Sequence, residues 1–162
     1  MRPIVIDLTQ ANNFISLHHR HSIALKPINV KHLIGLQHEG KLCGVSILGR
    51  PVSRHLDDGK TIEIRRLATN GVKNGCSFLL ARSCELSFSL GFDNIITYTL
   101  EKESGSSLKG CGFEISHHSK SDGKWRRNGA LIQTRLDGKD MIPSGNKICW
   151  IKESKWNEEA IE

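Results

Sequence analysis

The chain has 162 residues, 38% of them apolar and 25% charged, an ordinary composition for a globular protein long enough to bury a core in one domain. Its 23 basic and 17 acidic residues give a net charge of +6, which favours an anionic partner such as nucleotide or nucleic acid, or simply a solvated basic surface. No apolar run approaches the roughly 18 residues of a membrane span, and MRPIVIDLT is interrupted too soon for a signal peptide, so a cytoplasmic location without membrane contact is expected. The five cysteines (Cys43, Cys76, Cys84, Cys111, Cys149) lack any CxxC spacing and read as buried free thiols.

Residues 3–6 read as a short strand, followed by a helix capped by Asp7 or Thr9 with Phe14, Leu17 and His18 on one face. After a loop through Lys26 and Pro27, HLIGLQ and LCGVSILG flank a four-residue turn containing Gly40, the pattern of a β-hairpin. GRPVSRHLDDG (49–59) is a turn-rich connection carrying Arg50, Arg54 and His55. TIEIRRLAT (61–69) reads as a strand. Ile62 and Ile64 share one face and Glu63 and Arg65 the other, so strict alternation would bury Arg66 with the isoleucines. A β-bulge near Arg65–Arg66 returns Leu67 to the core, and bulges favour functional rims.

Next comes a glycine-punctuated turn and a long helix over 74–90. Cys76, Leu80, Cys84 and Phe88 form its expected buried stripe, flanked by Leu79 and Leu86, and Gly91 ends it. No carboxylate stands between Val72 and Leu80. The helix opens instead on Lys73, Asn74, Gly75, Cys76 and Ser77. Unpaired N–H groups and a macrodipole of about half a positive charge make such an end a natural seat for phosphate or pyrophosphate. The alternative is a turn that merely lets chain and helix pack closely.

NIITYTL (94–100) reads as a buried strand, SGSSLKGCGF as a short helix ending at Gly110 or Gly112, and FEISHH as a strand. Residues 119–147 are polar and Gly-rich with a strand in GALIQTRL, and KICWIKE is a final strand. The order β-α-β-β-β-α-β-α-β-β predicts an α/β fold, a mixed sheet with helices on its faces.

This order and spacing resemble the GNAT (GCN5-related N-acetyltransferase) superfamily, whose bulged fourth strand enters an R/Q-x-x-G-x-G/A turn. Val72-Lys73-Asn74-Gly75-Cys76-Ser77 matches that turn, with Val72 in place of Arg or Gln and Ser77 in place of Gly or Ala. Gly112-Phe113 matches a later G-F pair. HHRH (18–21), GRPVSRHLDDG, EIRRLAT, KNGCS, TYTLEKESGSSLKGCGF and KDMIPSGNKICW are similar to the motifs of a GNAT-like family common in phages and prophages. Similar strand-turn-helix residues occur in phage DNA-modifying Mom proteins.

The resemblance implies acetyl-CoA or another acyl-CoA as donor and an amine acceptor, which could be a small molecule, protein or nucleic acid. It implies that Val72–Ser77 hold the pyrophosphate and that the backbone at Leu67 and Ala68 pairs with the pantetheine arm. Oligomeric state is left open, a dimer included. A Mom-like modifier of nucleic-acid bases and a non-catalytic binding protein of phage origin are the alternative functions.

Glu63 is the candidate base, or else the partner of Arg65 or Arg66 in a salt bridge. The family's usual acid, a tyrosine four residues before the G-F pair, is replaced by Leu108. Tyr98, the single tyrosine, reads as a substitute acid or as a packed residue with its hydroxyl bonded. Ser104, Ser106 and Ser107 could serve a water-mediated proton donor or cap a helix. His18 and His21, at i and i+3, could meet at a metal, but no Cys or carboxylate motif accompanies them and no metal is expected. With His19 and Arg20 they read instead as base and anion contacts of an acceptor cleft, or as ordinary helix-end residues. Arg50, Arg54 and Arg66 are further acceptor contacts. Trp125, set among Lys120, Lys124, Arg126, Arg127 and Arg135, reads as a stacking platform or as the anchor of a solvated loop.

Overall fold

Near-continuous apolar runs in consecutive strands build a sheet that is buried on both faces. A computed structural model describes residues 1–18, 25–27, 30–120, 126–127, 130–131 and 146–155. Its elements are β1 (Arg2–Ile4), α1 (Leu8–His18), β2 (His32–His38), β3 (Lys41–Gly49), β4 (Thr61–Thr69), α2 (Gly75–Ser89), β5 (Asn94–Leu100), α3 (Ser106–Gly110), β6 (Glu114–Ser119), β7 (Arg126–Arg127), β8 (Ala130–Leu131) and β9 (Lys147–Glu153). Seven strands form one mixed sheet in the order β1-β2-β3-β4-β5-β9-β6, and β7 pairs with β8 separately. Among the described strands only β4 and β5 run parallel, joined across one face by α2.

Each face carries its own core. Ile34, Leu36, Leu48, Ile62, Ile64, Ile95 and Trp150 pack under α2 and α3 with Leu79, Leu80 and Leu108. On the opposite face Val45, Ile47 and Ala68 pack against Ala11, Phe14 and Ile15 of α1. Ser46 of β3 and Ser83 of α2 are fully buried between helix and sheet, and their hydroxyls bond each other at 2.8 Å. Small side chains let the helix lie close, and mutual pairing removes the desolvation cost of two buried hydroxyls. Among the described residues no helix is long and apolar enough to cross a membrane.

Several expectations shift by a residue or two. The first strand ends at Ile4, because Ile6 turns into the core and Asp7 starts the helix cap. On α1 the buried face is Ala11, Phe14 and Ile15, while Leu17 is 79% exposed; His18 keeps contact with this face only through its ring on Phe14, at 4.4 Å. The hairpin turn is shorter than four residues: Glu39 and Gly40, both at positive φ, close it. The buried stripe of α2 is Gly75, Leu79, Leu80, Ser83, Cys84 and Ser87, which leaves Cys76 and Phe88 half-buried at its margin. Of the five free thiols, Cys43, Cys84 and Cys149 are buried, and Cys76 and Cys111 are partly exposed. The strand read in GALIQTRL is represented by β8 alone, since residues 128–129 and 132–136 lie outside the described residues.

Candidate functional site

The expected bulge is present and sets the geometry. Ile47 pairs with Arg66 and Leu48 with Ile64, so Arg65 is the extra residue on β4. Beyond it Leu67 packs with the α2-side core, while Ala68 returns to the α1 side. β4 and β5 pair from Thr61/Asn94 to Ile64/Thr97, where Thr97 Oγ1 donates to the Ile64 carbonyl at 3.1 Å. There the two strands part. β4 continues to Thr69 against β3 alone, and β5 continues to Leu100 against β9. Among the described residues the β5-facing backbone edge of Arg65–Thr69 therefore has no strand partner, and Leu67 and Ala68 lie within it.

At the end of that open arm the chain turns into α2. Asn74 adopts a left-handed conformation (φ 62°), a conformation asparagine tolerates better than most residues, and its side chain makes no cap hydrogen bond. No acidic residue stands in the first turn. The Gly75 amide donates to the Val72 carbonyl at 3.0 Å, and the Phe78 amide to Asn74 at 2.9 Å. The Cys76 and Ser77 amides between them lack a capping side chain. Gly75 also meets the close-packing expectation: a Cβ there would lie 2.6 Å from Val72 Cγ1 and 3.1 Å from Thr69 Cγ2. The helix is pressed onto the sheet, and its Cys76 and Ser77 amides lack a capping side chain. Lys73 is exposed, with no ion pair among the described residues.

By register, Glu63, Arg66, Ala68 and Tyr98 occupy the α1-side face around the fork. Glu63 is only 5% exposed. Its Oε2 accepts the Val52 amide at 2.8 Å, and its Oε1 lies 3.7 Å from Arg65 Nε. Burial raises its pKa above the ordinary carboxylate value, opposed by the Val52 amide and by the charges of Arg65, Arg66 and Lys147. Glu63 is thus paired, as its alternative reading had it, and holds its proton more firmly than an ordinary carboxylate. Tyr98 follows Thr97, the last residue of β5 paired with β4. Burial first, then the neighbouring Cys149 thiol, push its pKa well up. The ring meets His117 edge-on at 6.4 Å. Leu108, at the family's usual tyrosine position, is buried in the core.

The arginines divide. Arg50 is held by Asp57 through two hydrogen bonds, at 3.1 and 2.6 Å, and Arg65 Nη1 donates to the Arg50 carbonyl at 3.0 Å. The 50–57 loop is thereby braced against β4. Sequence reasoning overlooked Asp57, Val52 and Lys147 in this network; the first left a signal as an acid seven residues after Arg50 in a turn, the others none. Arg54 and His55 are exposed, without a hydrogen bond or ion pair among the described residues. Arg66 Nη1 donates to the Arg65 carbonyl at 2.6 Å, while its Nε is buried without a partner. His19, Arg20, His21 and Trp125 lie outside the described residues, and His18 ends α1 exposed to solvent. Among the described residues no three His, Cys, Asp or Glu side chains are grouped to hold a metal.

No protein-family model and no curated protein matches this sequence. Solved structures do match its fold. A Bacillus subtilis acetyltransferase in complex with CoA superposes with a TM-score of 0.64 at 15% identity, over 94% of this chain and 97% of that one. The Escherichia coli ribosomal-protein-S18-alanine N-acetyltransferase gives 0.67 at 10%, over 99% and 98%. A GNAT family acetyltransferase from Elizabethkingia anophelis with acetyl-CoA bound gives 0.55 at 16%, over 76% of each chain. At these identities the likeness is one of fold, and the molecule has the GNAT, acyl-CoA N-acyltransferase-like fold.

Proposed function

We propose that this protein is an acyl-CoA-dependent N-acyltransferase, acetyl-CoA being its leading donor, which acylates an amine acceptor. The observation that carries the reading is the fork itself: a bulged β4 that loses β5 after Ile64 and leads into an uncapped helix end. The residues present fit the coenzyme. The Cys76 and Ser77 amides lack a capping side chain, Lys73 adds positive charge, and the edge of Leu67 and Ala68, without a strand partner among the described residues, offers amide-type hydrogen bonds to an extended arm. Val72, for its part, anchors the turn in the core instead of reaching out as a longer side chain would. Bound there, the coenzyme supplies an acyl group activated as a thioester.

Glu63 then takes up the proton that the acceptor nitrogen must lose, directly or through water, and its raised pKa moves it toward the range in which a base is effective. Tyr98 keeps its proton on Oη throughout the neutral range, which excludes it as a base. The acceptor approaches on the α1-side face, next to Arg66 and the braced 50–57 loop. A nucleic-acid base as acceptor is the second reading, favoured by the net charge of +6, and it requires mass-shifted nucleosides in nucleic acid from expressing cells.

Calorimetric titration with acetyl-CoA tests the leading reading. Saturable binding is expected, weakened roughly tenfold or more by Lys73→Glu, the scale of one charge-assisted phosphate contact. No binding at millimolar ligand overturns it.

A further inference from the structure

We infer that the acceptor amine also carries a carboxylate, and that Arg66 is the residue that reads it. This rests on the acyltransferase reading for the place of the amine, but its support is independent of the coenzyme. Arg66 lies on the arm of β4 just past the fork, on the face shared with Glu63 and Tyr98. Its Nη1 is tied to the Arg65 carbonyl at 2.6 Å, which fixes the plane of the guanidinium. Its Nε is buried and has no partner among the described residues. An unpaired N–H on a cation is costly to bury, and natural sites retain such a group where a ligand completes it.

The surrounding charges leave the same gap. Arg65 is committed to Glu63 and to the Arg50 carbonyl, and Arg50 to Asp57. Arg65, Arg66 and Lys147 all act on Glu63, so three cations share one carboxylate on this face. The Nε edge of a planar guanidinium is a two-point fork, which matches a carboxylate in shape and charge once the buried Nε is uncovered. The substrate class is therefore an amino acid or a similar amine with an acid group within reach.

The test uses the full chain, with amino acids and their C-terminal amides as matched probes and with phosphoethanolamine and ethanolamine as a second pair. Two quantities are read: release of free thiol from acetyl-CoA, and the melting shift caused by each probe without coenzyme. Acids are expected to exceed their amides by about 10- to 100-fold in kcat/KM, the range for a hydrogen-bonded charged group. Arg66→Gln should bring that ratio close to unity, Arg66→Lys should restore part of it, and acetyl-CoA affinity should stay unchanged in both. Melting shifts should follow the same pattern. Equal use of acids and amides, a preference for phosphoethanolamine, or discrimination that survives Arg66→Gln overturns the inference. If acetyl-CoA fails to bind the wild-type protein, the acyltransferase reading falls, and the melting shifts by themselves decide whether Arg66 binds carboxylates.

Discussion

The two long helices begin in opposite ways. At the start of α1 the Gln10 amide donates to Asp7 Oδ1 at 2.7 Å and the Asp7 amide donates to Gln10 Oε1 at 3.0 Å, a reciprocal capping box. At the start of α2 a left-handed Asn74 contributes no side-chain bond, and no acid follows. A cap is worth about 1 kcal/mol, which α1 takes and α2 forgoes. The positive end of α1 is thus consumed within the protein. That of α2 remains available at the mouth of the fork, where an outside anion gains most.

The contrast can be broken by substitution. Gly75→Ala should do most, destabilising by about 1–3 kcal/mol in a urea titration, because the new Cβ would overpack Val72 and Thr69. Unchanged stability would show that the helix start can shift away from the sheet. Ser77→Asp should separate binding from stability. A carboxylate in the first turn favours the helix by about 0.3–1 kcal/mol, while acetyl-CoA affinity falls roughly tenfold, the scale of one lost charge-assisted contact. Asp7→Ala is its counterpart, costing about 1 kcal/mol and leaving acetyl-CoA affinity untouched. A fall in affinity with Asp7→Ala would erase the distinction between the two helix ends.

The smallest effect is a pH trend at Glu63. Its folded pKa lies above the unfolded value, so its contribution is fully present below the unfolded pKa of about 4.5 and is lost as pH rises through the raised folded pKa. The melting temperature of the wild type relative to Glu63→Gln should accordingly decline across that window. A flat or rising difference would mean that Arg65 and the Val52 amide outweigh burial.

The bulge in β4, the glycine stop of α2 and the last strand were legible residue by residue, and the cap of α1 was narrowed to Asp7 or Thr9, of which Asp7 takes the role. Gly91 ends α2 as read, with its amide on the Phe88 carbonyl and the Phe92 amide on that of Ser87. The stripe on α2 was misread because apolarity was taken as the mark of burial. Ser83 and Ser87 are buried instead, each satisfied by one hydrogen bond at 2.8 or 2.7 Å, so their polarity costs little. Leu17 was misplaced for a related reason: a helix of 11 residues has several apolar faces, and only the sheet selects one.

By itself the sequence determined the order of elements, the irregularity at Arg65–Arg66 and the absence of a carboxylate from the start of α2, because each follows from local periodicity or from residue identity. Only the tertiary structure decided where β4 and β5 part, which arginines are already spent on Asp57 and Glu63, and that Arg66 keeps an unpaired buried donor. Those are properties of pairings between residues far apart in the chain, and no local pattern records whether a charged group will find its counterion.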